Sequence, residues 1–288
     1  MKLLLLLLSY CGARRRIHRY SCERNTTAGA NISGAVCAPA RANVQRRHLG
    51  PTWKLRWLHV PKTGTTLASA IYRSACERLP PHASIPAPTD AYPGHVQDYF
   101  AQCFPEEANA ERCALDASDT FAPKPTHVPL ALFAPDRFAY ATILRDPWAR
   151  LLSAYGWKRQ FFDCGELTAA CAARNRGIYV NFILGNWTSG PNAPPARYPS
   201  AADAKTAADR LESFAFVGLF ERYTDSLCLF AATFGTYVAR GDLVNTRPGA
   251  AAAAPPRPPD LADWADGRLY AYGAALFEKR LRAAFWPD

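Results

Sequence analysis

Leu58-His59-Val60-Pro61-Lys62-Thr63-Gly64-Thr65-Thr66 is the stretch on which the reading of this 288-residue chain turns. Before it, Trp53-Lys54-Leu55-Arg56-Trp57 alternates apolar and basic residues, the period of a strand. After it, Leu67, Ala70, Ile71, Ser74 and Ala75 fall on one face of a helix. The expected local structure is therefore strand, tight turn, helix. Such a turn offers unpaired backbone N–H groups and the positive end of a helix dipole, which together bind an anion. Gly64 lets the backbone approach that anion closely. Thr65 and Thr66 add hydroxyl donors, and Lys62 adds a full positive charge. The order is not that of the common nucleotide loop, which needs Gly, four residues, then Gly-Lys-Ser/Thr. Here Lys62 precedes the glycine, and no earlier glycine is in place.

Working outward, a second strand reads Phe138-Ala139-Tyr140-Ala141-Thr142-Ile143-Leu144 and ends at Arg145-Asp146-Pro147. Asp146 is a natural N-cap and Pro147 a natural first helical residue. Trp148, Leu151, Leu152 and Tyr155 give the next helix one apolar face. A helix over 201–213 leads into an apolar strand, Phe214-Ala215-Phe216-Val217-Gly218-Leu219. Leu227, Phe230, Ala231 and Phe234 then show core spacing, and a last helix runs from Asp263 to Phe285. Residues 80–95, with five prolines, read as loop, 163–200 as irregular chain and 246–259 as a loop or linker. Strands alternating with helices predict an α/β domain, a central parallel sheet with helices on both faces.

Hydrophobic residues make up 49% of the chain, enough for a large core. Lys and Arg number 34 against 24 Asp and Glu, a net charge of +10. That excess points to a polyanionic partner, whether nucleic acid, an anionic membrane surface or an acidic polysaccharide. No Lys/Arg tract recurs with interleaved aromatics, which argues against nucleic acid. The N-terminus holds six leucines followed by Arg14-Arg15-Arg16. The apolar run has the length of a signal-peptide core and is too short for a normal membrane span. Residues 1–50 therefore read as a signal peptide or signal anchor plus a flexible stem, and 51–288 as a single domain. Three glycosylation sequons begin at Asn25, Asn31 and Asn186. Nine cysteines without a Cys-x-x-Cys pattern suggest disulfides rather than a metal site. Cys103 with Cys113, and Cys164 with Cys171, are the pairs expected from spacing.

The order Pro61-Lys62-Thr63-Gly64-Thr65-Thr66 resembles the 5′-phosphosulfate loop of sulfotransferases that use 3′-phosphoadenosine 5′-phosphosulfate (PAPS). The segment from Thr142 to Tyr155 closely resembles their 3′-phosphate-binding segment. There the arginine ending the strand and a serine eight residues later hold the 3′-phosphate. Carried over, those residues are Arg145 and Ser153. A guanidinium fork suits a phosphate and a hydroxyl adds a short donor bond. Phe216-Val217-Gly218-Leu219-Phe220-Glu221-Arg222-Tyr223 with Ser226-Leu227, and Leu269-Tyr270 through Phe277, resemble segments of the Golgi polysaccharide O-sulfotransferases. The nearest group is that of the heparan sulfate 2-O- and 6-O-sulfotransferases. The resemblance spans residues 55–285, strongly at the two motifs and loosely between them; the stem and the 80–120 region match nothing in it.

The resemblance implies a sulfotransferase fold with a P-loop-like parallel sheet, PAPS as co-substrate and no metal. It implies an acidic or neutral glycan as acceptor, residence in the Golgi lumen, and type II anchorage as one role for the N-terminal segment. Lys62 becomes the group that neutralises charge on the leaving phosphate. His127, just before the second strand, lies roughly where the 2-O group keeps a catalytic histidine, and histidine titrates near neutrality. Glu77 and His95 are rivals for the base; His59, on the strand, reads as a packing residue. Lys158, Arg159, Arg174 and Arg176 are candidates to line an acidic sugar chain, and equally a solvated basic face. Arg247 is a candidate nucleotide contact. Competing readings are a sulfotransferase acting on protein tyrosine or a small molecule, and a non-catalytic binder of anionic glycans. A P-loop kinase is disfavoured by the lysine position and by the lack of a Mg²⁺ carboxylate after a strand.

Overall fold

Among the described residues three short segments make the sheet. β1 (Lys54–Leu58), β2 (Phe138–Leu144) and β3 (Phe216–Leu219) lie in the order β1-β2-β3 with both pairings parallel. Leu58 stands opposite Thr142, and Leu144 opposite Leu219. The computed structural model describes residues 30–41, 47–49, 53–64, 66–80, 100, 103–107, 113–115, 129–130, 132–156, 167–186, 197–243, 258 and 261–286. Its helices are α1 (Ser33–Val36), α2 (Leu67–Ala75), α3 (Pro147–Gly156) and α4 (Ala169–Ala173). They continue with α5 (Ile178–Leu184), α6 (Ala201–Glu212), α7 (Tyr223–Phe234) and α8 (Trp264–Phe285). The expected α/β layering with a parallel sheet is what the chain adopts.

Every residue of β2 after Phe138 is buried, as a central parallel strand requires when both faces are covered. Successive side chains on a strand point to opposite faces. Leu144 meets α8, where a Cβ on Gly273 would lie 2.4 Å from the leucine Cδ1. Ile143 points the other way, toward Gly218 and the Ser226 side chain of α7. Helices thus cover both faces. Trp57, Tyr140, Phe216, Phe230 and Phe277 are among the large side chains of the resulting core.

Four readings differ from the structure. The strand expected from Phe214 begins only at Phe216, because Ser213 and Phe214 donate their N–H groups to Arg210 and Leu211 and finish α6. The 163–200 stretch, read as irregular, carries α4 and α5. Cys113 is bonded to Cys76, not to Cys103. Residues 113–115 run beside β1, with Leu55 N–H donating to Ala114 O and Ala114 N–H to Ala75 O, so Cys113 arrives at the end of α2. Cys103 and Cys171 each form a disulfide as well, and Cys164 lies outside the described residues.

The fourth difference concerns the stem. Residues 30–41 are strapped onto the domain. Ile32 N–H donates to Val238 O, Arg240 N–H to Ala30 O and Arg41 N–H to Ala284 O. Ser33 Oγ accepts from Val238 N–H, and Cys37 is disulfide-bonded to Cys228 of α7. Specific backbone pairing, which composition does not report, brings this part of the expected stem into the fold. Among the described residues no helix is long and apolar enough to cross a membrane; the leucine run lies outside them.

Candidate functional site

Parallel strands end on one edge, and open α/β sheets bind ligands outside those carboxyl ends. Here β1 runs into the 59–66 turn and α2, β2 into Arg145 and α3, and β3 into the 3₁₀ turn Phe220–Arg222 and α7. Because β1 and β2 are paired neighbours, the two sequence motifs sit side by side.

The turn is held from within. Thr63, fully buried, donates its hydroxyl to Val60 O at 2.8 Å. Thr142 of β2 donates to Leu58 O at 2.9 Å. The Thr63 side chain is thus spent on the loop rather than facing a ligand. Lys62 has φ 70° and Gly64 φ 119°, both left-handed. A Cβ on Gly64 would lie 3.1 Å from the Phe220 ring, so glycine serves conformation and close approach at once. Thr66 precedes α2 without a side-chain cap bond, and its carbonyl accepts from Ser69 N–H. Thr65 lies outside the described residues.

Arg145 leaves β2 toward the turn. Its guanidinium sits 4.5 Å above the Phe220 ring, and Nη1 donates to Lys62 O at 3.4 Å. Its Nε is buried without a hydrogen-bond partner among the described residues. Burial lowers its pKa, and the Glu221 carboxylate opposes that. Asp146 caps α3 by accepting from Ala149 N–H, as the sequence suggested. The Asp146 N–H donates to Glu221, which also accepts from the Tyr270 hydroxyl. Ser153 stands half-exposed two turns along α3.

The ends of β2 and β3 are each closed by a buried hydroxyl that holds both an N–H and a C=O. At β3, Ser226 Oγ accepts from Leu219 N–H at 2.8 Å and donates to Leu219 O at 2.9 Å. At β2, the Tyr179 hydroxyl accepts from Arg145 N–H at 3.1 Å and donates to Arg145 O at 2.7 Å. Sequence reasoning assigned no role to Tyr179, Phe220 or Glu221. Phe220 and Glu221 lie in a segment already singled out, whereas Tyr179 has no local signal.

The remaining sequence candidates are scattered. His59 is buried and stacked on Trp57 with ring centroids 4.2 Å apart, a packing residue as read. Arg174 is exposed. Arg176 lines a small cleft with Pro147, Trp148, Arg150 and Asp263. Glu77 is exposed beyond α2. His95, His127, Lys158, Arg159 and Arg247 lie outside the described residues. Among the described residues no group of three or more His, Cys, Asp or Glu is placed to hold a metal ion. Comparison with protein families, with curated proteins and with solved structures finds no match for this chain.

Proposed function

We propose that the chain is a sulfotransferase of the PAPS-dependent type, with a sulfotransferase fold, moving a sulfuryl group to a hydroxyl of a carbohydrate acceptor. One observation carries the reading. The cationic turn at 61–66 and the arginine after β2 share one sheet edge, and Arg145 keeps a buried Nε donor with no hydrogen-bond partner among the described residues. Burying such a donor costs free energy unless it is met, and a phosphate oxygen meets it.

In this reading the backbone of residues 61–66 cradles the 5′-phosphosulfate, and Arg145 with Ser153 grips the 3′-phosphate. The acceptor oxygen forms a new S–O bond as the S–O bond to the 5′-phosphate breaks. Lys62 neutralises the charge growing on the leaving phosphate, the kind of electrostatic help worth about 10²–10³ in rate. His127 takes the proton of the attacking hydroxyl. The products are a sulfate ester and 3′,5′-ADP. The excess of 34 basic over 24 acidic residues favours an anionic glycan, and the disulfides suit an oxidising lumen such as the Golgi.

Calorimetry tests the donor site. The protein is expected to bind 3′,5′-ADP far more tightly than 5′-AMP, and Arg145→Ala to weaken 3′,5′-ADP binding by about 1.5–3 kcal/mol. Equal affinity for the two nucleotides overturns the assignment. Transfer of labelled sulfate from PAPS across a panel of glycans, a tyrosine peptide and small phenols identifies the acceptor. For the base, His127→Ala is expected to lower kcat by about 10²–10⁴ and to remove the acidic limb of the pH–rate profile. A retained limb moves the role to Glu77 or His95.

A further inference from the structure

Arg145 stands where the β2 ladder runs out, so its own N–H and C=O need other partners. One hydroxyl supplies both. Tyr179 is fully buried on α5 and holds the two groups at 3.1 and 2.7 Å. The tyrosine is itself fixed. Asp266, at the start of α8, accepts from Tyr179 N–H at 3.1 Å and Val180 N–H at 3.2 Å. Asp263 accepts from Gly177 N–H at 2.8 Å. Burial raises the Tyr179 pKa far above its ordinary value, so the hydroxyl keeps the proton it donates.

We propose that Tyr179 is the positioning residue for Arg145: by holding both backbone groups, it sets the direction in which the guanidinium leaves the strand. The inference rests on the donor-site reading and deepens it. Among the described residues the guanidinium is held by the Phe220 ring and a long bond to Lys62 O. A small rotation of the backbone at Arg145 is magnified along a side chain of that length. Tyr179 therefore governs how well the arginine meets a 3′-phosphate, without touching the nucleotide.

The same strand supplies a like-for-like control. Tyr140, a fully buried residue near the start of β2, likewise makes two hydrogen bonds to backbone, here to two residues of the preceding loop. It accepts from Ala134 N–H at 2.8 Å and donates to Leu132 O at 2.9 Å. Tyr179→Phe and Tyr140→Phe each remove one hydroxyl and two hydrogen bonds. Both are expected to lower thermal stability by similar amounts. Only Tyr179→Phe is expected to weaken 3′,5′-ADP binding, by about 10-fold, the worth of roughly one hydrogen bond, with 5′-AMP binding unchanged. Asp266→Asn, which loosens the hold on α5 while keeping the hydroxyl, is expected to show a smaller loss of the same selectivity, and carries the test if Tyr179→Phe does not fold. Selectivity kept in the folded variant, or lost equally in Tyr140→Phe, overturns the inference alone. A wild-type protein that does not prefer 3′,5′-ADP overturns the donor reading and this inference with it.

Discussion

Lys62 is the one non-glycine residue with positive φ among the described residues, at 70°. That conformation costs an L-residue about 1–2 kcal/mol. Strain of this kind persists where the surroundings enforce it, and it clusters at functional sites. Lys62→Gly should remove the strain and the charge together. Stability in urea is expected to stay level or rise by about 1 kcal/mol, the strain relief being partly offset by the freer unfolded chain. On the proposed sulfotransferase reading, the transfer rate is expected to fall by about 10²–10³. Stability and rate falling together would show that the strain serves the fold instead. Arg145 and Asp146 were legible in the sequence because strand-end arginine, N-cap and first-turn proline are consecutive. Thr63 belongs to the loop that resembles a phosphosulfate cradle, yet its hydroxyl turns inward, since a threonine in a tight turn has a carbonyl within reach. Tyr179 was not legible: the carbonyl and N–H it serves are 34 positions away in the chain.

At the scale of elements, α6 carries its own start signal. Ser200 Oγ accepts from Asp203 N–H, and Asp203 accepts from Ser200 N–H, a reciprocal capping box. Arg197 grips the same carboxylate with two bonds, and chiefly by that contact the Asp203 pKa falls from the usual 3.8 to about 2. A carboxylate whose folded pKa is depressed adds stability above its unfolded pKa and loses it as pH falls through the folded one. Asp203→Asn is expected to cost about 1 kcal/mol at pH 7. The gap to wild type should close between pH 4 and 2, as read by denaturant unfolding, and shrink in high salt because Arg197 is exposed. A gap constant with pH would assign the effect to the cap alone. Elements with a strong pattern were readable. β2 is a seven-residue apolar run ended by cap chemistry, and α8 shows a long helical period. α5 escaped because Ile178–Ile183 is buried on every side, so no polar face gave the helix away. Gly177 and Gly185, both left-handed, were its only punctuation.

At the scale of the molecule, sequence spacing misled. Cys113 lies 10 positions from Cys103 and 37 from Cys76, yet the nearer partner in space is Cys76. Distance along a chain bounds where a loop closes without saying which loop does. Three strap N–H and C=O pairs and a disulfide tie residues 30–41, part of the expected stem, to positions far along the chain. Replacing Cys37 and Cys228 together by alanine is expected to cost about 2–4 kcal/mol, the usual worth of a disulfide closing a long loop. Thermal unfolding at fixed protein concentration measures this. Non-reducing peptide mapping is expected to recover Cys37–Cys228 and Cys76–Cys113; a Cys103–Cys113 peptide would contradict the fold.

The strap also puts a clock into the chain's birth. Cys37 and Cys228 are 191 residues apart. At about 5–20 residues per second, the ribosome needs roughly 10–40 s to deliver the second after the first. Cys76 and Cys113 emerge 37 residues apart, a gap of only about 2–7 s at the same rate. The newborn chain therefore has the means to close its small ring early, while the thiol of Cys37 waits exposed to whatever oxidant or isomerase attends translation. The Asn31-Ile32-Ser33 sequon waits with it, because Val238, whose N–H later donates to the Ser33 hydroxyl oxygen, has not yet been made. Any enzyme that must read that hydroxyl to modify Asn31 works within this interval, and the closing of the strap ends it.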